Sequence, residues 1–180
     1  LVCTKYKFKG ALFRPLFSLK MNFRRLTKEQ FEDMHEEFST FLATQGIDRA
    51  AWEIKKEQEA DQVDQLLDQF SDLVWDAVLE RAHYIENISA NHMYLFKCLD
   101  QEIKLIAVEV ANSAIDLREK DGFDWFKQHY NSDYVTYKRA SKAYAGNKNS
   151  DKFELIEKGG VITKGALYDW FEDLLNSAEE

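Results

Sequence analysis

The chain has 180 residues, 45% of them hydrophobic and 14% aromatic, and a formal charge of −8. That composition excludes a disordered acidic tail, and a chain this long can bury a core without a metal or disulfide staple. The acidic balance argues against nucleic-acid binding, which depends on Lys and Arg neutralising phosphates.

Residues 1–20 carry five cations (Lys5, Lys7, Lys9, Arg14, Lys20) and no acid, which leaves −13 on the remainder. The chain opens on Leu1, and its first methionine is Met21. The expectation is that the natural polypeptide starts at Met21 and that residues 1–20 are a mis-called gene start outside the fold. Two other readings of the leader stand beside it. Residues 2–9 alternate as an edge strand would. A targeting segment is the other reading, although Arg14 and Pro15 cut the apolar stretch to Ala11, Leu12 and Phe13, and a signal peptide needs about 7–15 such residues. Residues 21–180 are expected as a single globular domain.

The first helix is announced by Thr27 and Gln30, a capping box, with Leu26 and Phe31 placed for a hydrophobic staple. Phe31, Met34, Phe38, Phe41 and Leu42 recur at helical spacing. Gly46 is placed as the C′ residue, and Ile47 can fold back onto the last turn. Asp48 can cap a short helix carrying Trp52. Over 61–82, Val63, Leu66, Leu67, Phe70, Leu73, Val74, Ala77 and Val78 predict a longer helix packing on the first. The pattern then changes to period two at 84–88, 93–99 and 103–110, the last two flanking a turn at Asp100, Gln101 and Glu102. Lys97 and Lys104 are expected outward, with Phe96, Leu105 or Ile106 inward. Gly122 interrupts a helical stretch containing Phe123, Trp125 and Phe126. Residues 131–152, with five cations and two acids, read as a flexible basic insertion around the loop tract Gly146, Asn147, Lys148, Asn149 and Ser150. Asp151 and Glu154 suggest a short helix ending at Gly159 and Gly160. Thr163 can cap a final helix with Leu167, Trp170, Phe171, Leu174 and Leu175 on one face. The fold class is α+β: helices packed on an antiparallel sheet of about three strands.

Recognisable chemistry is sparse. Glu32/His35 and Glu80/His83 form two E-x-x-H motifs, which on separate helices could contribute to a di-iron site. At 100° per residue they point well away from the apolar faces of their helices, so a buried metal site is not expected. His35, His83, His92 and His129 lack the neighbours of a catalytic triad, and no phosphate-binding glycine loop occurs. Residues 151–175 could be proposed as a helix-turn-helix, but Asp169, Glu172 and Asp173 stand where a recognition helix needs donors. No catalytic, cofactor-binding or metal-ligating residue is therefore assigned, and no cofactor is expected. Cys3 and Cys98 fit no metal pattern. Cys98 reads as a small core residue on a strand, and a lone thiol points to a reducing, cytoplasmic compartment. No run of 18 apolar residues exists to span a membrane.

What remains is a basic, tyrosine-bearing segment: Tyr134, Tyr137, Lys138, Arg139, Lys142 and Tyr144. Aromatics interleaved with cations can form a binding surface for an acidic protein or RNA. The plainer reading is a solvated insertion. The strings 22–29, 70–75 and 95–98 resemble those of a small, uncharacterised bacterial family of unknown function, over most of 21–175. The resemblance implies no activity, cofactor or catalytic residue, only that members begin near Met21. The leading reading is a non-enzymatic cytosolic protein that binds another macromolecule, with a protein as partner rather than nucleic acid or membrane. The rival is a small enzyme or ligand-binding domain with a site assembled from scattered residues. Substrate, partner and oligomeric state are left open by the residues.

Overall fold

The computed structural model describes residues 22–177. The expected start at Met21 and the leader 1–20 lie outside the described residues. Contacts divide the chain into two compact units, one running through Trp75 and the other from Asp76.

The first unit is helical, with α1 (Lys28–Asp33), α2 (His35–Thr44), α3 (Arg49–Gln58) and the larger part of α4 (Ala60–Arg81). The capping box forms as expected. Gln30 N–H donates to Thr27 Oγ1 at 3.3 Å, and Thr27 N–H donates to Gln30 Oε1 at 2.9 Å. Where one helix was expected over the apolar repeat, two form, separated at Met34 (φ −110°, ψ 26°). His35 Nδ1 lies 3.1 Å from Glu32 O, the carbonyl that Glu36 N–H would bond in an unbroken helix. The side chain thus takes the place of a helical backbone bond. At the far end Gly46 is left-handed at φ 72°. Ile47 N–H donates to Leu42 O and Gly46 N–H to Ala43 O, both at 3.0 Å, the pair of bonds of a Schellman motif. Asp48 caps α3 through Ala51 N–H at 2.8 Å. Phe70 is fully buried, with the rings of Phe31, Phe38 and Phe41 5.0–5.8 Å from its own. The segment before α1 is tied to α4. Arg25 pairs with Asp68 at 2.5 Å and Asp64 at 2.7 Å, Leu26 N–H donates to Ser71 Oγ, and Trp75 Nε1 donates to Arg24 O.

The second unit holds β1 (Tyr84–Ile88), β2 (His92–Cys98), β3 (Glu102–Val110), α5 (Lys120–His129), β4 (Val135–Ala143), α6 (Lys148–Glu157), β5 (Val161–Thr163) and α7 (Ala166–Ser177). Among the described residues the sheet has five antiparallel strands in the order β4-β3-β2-β1-β5, two more than the sequence pattern indicated. Residues 131–152 hold β4 and the first turn of α6 in place of a flexible insertion. Met93, Leu95, Ile106, Val108 and Val110 build the core on one face with Leu117 and with Phe126, Tyr168 and Phe171 from α5 and α7.

The expected orientation of the lysines is corrected here. Lys97 lies on the same face as Leu95, and its ammonium reaches Glu172 of α7 at 2.7 Å. Lys104 is opposite Lys97 and shares that face, as does Ile106, whereas Phe96 and Leu105 lie on the other. The other face is closed at Ile85 and Cys98, where α6 meets the last turns of α4. With helices on two faces, alternation no longer means in and out. Gly122 belongs inside α5 because a Cβ there would collide with the Asp116 carbonyl of the preceding loop.

Candidate functional site

The basic, tyrosine-bearing segment becomes β4, a nine-residue strand at the end of the sheet whose single strand neighbour among the described residues is β3. Its register is Val135 opposite Val110 through Ala143 opposite Glu102. One step beyond each end of that register, Ala111 N–H donates to Tyr134 O at 2.8 Å and Tyr144 N–H to Gln101 O at 3.4 Å. In an antiparallel ladder the backbone groups of alternate residues turn toward the same neighbour. Even-numbered residues of β4 therefore turn their backbone to β3. The N–H and C=O of Tyr137, Ser141 and Ala143 turn to the edge that no other strand of the described residues occupies.

The side chains divide by the same parity. Val135, Tyr137 and Arg139 face α7. The Tyr137 ring lies 5.9 Å from Phe171, and Arg139 donates to Asn176 Oδ1 at 2.9 Å. The Tyr137 hydroxyl donates to Tyr130 O, and burial raises it to a pKa of about 12, so it stays protonated at physiological pH. Thr136, Lys138, Ala140 and Lys142 face the other way and are exposed. Lys138 has Glu109 of β3 at 3.7 Å, a loose and solvated pair. Three cations and no acid thus occupy one exposed strand of an acidic protein. Aromatic surface accompanies them. Tyr134 is 56% exposed, and Trp170, 42% exposed, packs on Phe171 at 4.7 Å and on Tyr130 at 5.7 Å.

The two E-x-x-H motifs fall in different units. His35 is spent on the α1–α2 break, and His83 is exposed beyond the end of α4. No group of three or more His, Cys, Asp and Glu side chains that could hold a metal occurs among the described residues. His92 stacks on Tyr94 at 5.8 Å, and His129 on Trp125 at 4.4 Å. Residues 151–175 hold α6 and α7 with strand β5 between them.

One buried polar cluster escaped the sequence reading. Lys152 of α6 is fully buried and its Nζ donates to Leu79 O at 2.6 Å. Burial lowers its pKa and raises that of the Cys98 thiol, which the nearby ammonium of Lys152 partly offsets. Tyr144 lies beside them, its hydroxyl donating to Leu99 O at 2.9 Å and its pKa raised by burial. These donors are committed to main-chain carbonyls at the ends of α4 and β2, so the cluster holds the fold. A lysine among the charges of 148–158 gives no sign in sequence that it is buried. The strand did leave a sign: Val135, Thr136 and Tyr137 are all residues that favour strands.

No helix of the described residues is long and apolar enough to cross a membrane. A family model described as "Family of unknown function (DUF6495)" matches residues 21–176, so the chain belongs to that family. No curated protein and no solved structure matches it.

Proposed function

We propose that this member of the family is a non-enzymatic, cytosolic binding module that takes an acidic protein partner on the basic edge strand β4. The observation that carries the reading is the placement of Lys138 and Lys142 together on the exposed face of a strand that itself carries no acid, in a chain whose charge is −8. A positive stripe on an acidic body attracts a partner of complementary potential and disfavours basic ones. The net negative charge counts against nucleic acid as the occupant. Cys98, a free and buried thiol, fits a reducing compartment.

The test is binding of a fluorescent glutamate-rich peptide to the full chain, followed by anisotropy. Charge reversal at the two lysines (Lys138→Glu with Lys142→Glu) is expected to weaken binding at least about tenfold, and added salt to weaken it further. Equal binding by the wild type and the reversed variant, or by a lysine-rich peptide of the same length, would overturn the reading.

A further inference from the structure

The parity of β4 says more than that its partner is acidic. We infer that the partner binds as an added sixth strand, antiparallel to β4, and that it carries two acids four residues apart with an apolar residue directly after the second. This rests on the reading of β4 as the binding edge.

The backbone supplies the docking line. Tyr137, Ser141 and Ala143 share the parity that directs N–H and C=O away from β3, the arrangement an extended peptide completes when it adds to a sheet edge. The sheet is antiparallel throughout, and an added strand of the same sense continues its pattern.

The side chains then set the sequence. Residues opposite Lys138 and Lys142 stand in non-hydrogen-bonded pairs with the new strand, where cross-strand side chains approach most closely. Acids are favoured at both. In an antiparallel partner the residue opposite Lys142 comes first and the residue opposite Lys138 four positions later. The next residue falls opposite Tyr137, on the α7 face. There the rim is aromatic: Tyr137 and the exposed Trp170 both pack on Phe171, and Trp170 also meets Tyr130. An apolar or aromatic side chain covers that surface.

A second copy of this chain suits the edge poorly. Pairing β4 with β4 would bring cations against cations, the device by which edge lysines keep sheets apart. The acidic strand removes the conflict that the second copy creates.

The probe is a capped synthetic twelve-residue peptide with glutamates four residues apart, phenylalanine after the second, and threonine elsewhere. Its controls are a scrambled peptide of identical composition and a version N-methylated at alternate backbone positions. The readouts are affinity and hydrogen exchange of the chain's amides by NMR. The ordered peptide is expected to bind about tenfold more tightly than the scrambled or methylated one. It should also slow exchange at the Tyr137, Ser141 and Ala143 amides. Equal binding of the three peptides, sensitive to Lys138→Glu with Lys142→Glu but without amide protection, would overturn strand addition while leaving the acidic-partner reading standing. Binding indifferent to that charge reversal would overturn both.

Discussion

Lys152 Nζ donates to the carbonyl oxygen of Leu79 at 2.6 Å, joining α6 to the last turn of α4 through a lysine with no exposed surface. The ammonium complements the negative end of that helix but pays for burial, and Leu79 O also accepts Ala82 N–H at 3.1 Å. Lys152→Met keeps the side-chain volume and leaves the carbonyl a partner, so its stability is expected within about 1 kcal/mol of wild type. Lys152→Ala opens a cavity and should cost about 3 kcal/mol. Urea unfolding followed by circular dichroism checks both. The pH dependence has a definite sign. Burial lowers the folded pKa below the ordinary 10.5 of the unfolded chain. Between those two values the unfolded state holds more protons, so stability rises with pH. Wild type should therefore gain on Lys152→Met as pH is raised toward 10.5, and a constant difference would refute the assignment.

Two adjacent glycines at the end of α6 are expected to respond differently to alanine. A Cβ on Gly160 would stand 2.6 Å from Ile85 Cγ2 and 2.7 Å from Leu155 O. The latter is main chain and cannot step aside, so Gly160→Ala should cost about 2–3 kcal/mol. Gly159 is left-handed at φ 94°, but the nearest atom to its Cβ is Asn87 Nδ2 at 3.5 Å. Gly159→Ala should cost only about 1 kcal/mol, the price of the backbone conformation. Thermal melts of the two variants decide between crowding and conformation. Equal losses would show that crowding by Ile85 and Leu155 is not the cause.

Cys98 ends β2 with 3% of its surface exposed, and burial raises its thiol pKa. Reaction needs an accessible thiolate. At pH 8 the folded protein should therefore modify this residue with Ellman's reagent at least about a hundredfold more slowly than the urea-unfolded chain. A Cys3→Ser background keeps the reading to this thiol. Rapid modification in the absence of urea would mean that the α6 side of the sheet opens readily.

The features that could be read from sequence are those in which local chemistry decides the structure. Thr27 and Gln30 satisfy each other's backbone within four residues, and Gly46 ends α2 because few other residues adopt its φ. The helix break at Met34 was invisible because the apolar repeat continues through it. β4 was hidden for another reason. As an edge strand it leaves Thr136, Lys138 and Lys142 in solvent, so charge masks its alternation. β5 is only three residues long and carries no usable period. The basic segment itself was legible as a group of residues, but the parity that sorts Tyr137 from Lys138 exists only once the register with β3 is known. Lys97 shows the same limit in reverse, since a lysine on a half-polar strand reads as outward until a helix supplies its acid.

That acid supports the last prediction. Lys97 reaches Glu172 at 2.7 Å and Asp169 at 3.5 Å, and lies 5.2 Å from the centre of the Tyr168 ring. The hydrogen bond to Glu172 is the main reason that its pKa is raised. A lysine so shifted contributes stability that is fully present below its unfolded pKa of 10.5 and is lost only as pH climbs through the higher folded value. The pair is half-buried, so it should outlast the exposed ion pairs of α5 when salt is added. In a double-mutant cycle with Lys97→Met and Glu172→Gln, the coupling is expected at about 1 kcal/mol at pH 7. It should remain near that value in 0.5 M salt, where solvent-exposed pairs are screened away. A coupling indistinguishable from zero in low salt would mean that the Tyr168 ring, rather than the carboxylate, holds Lys97 against α7.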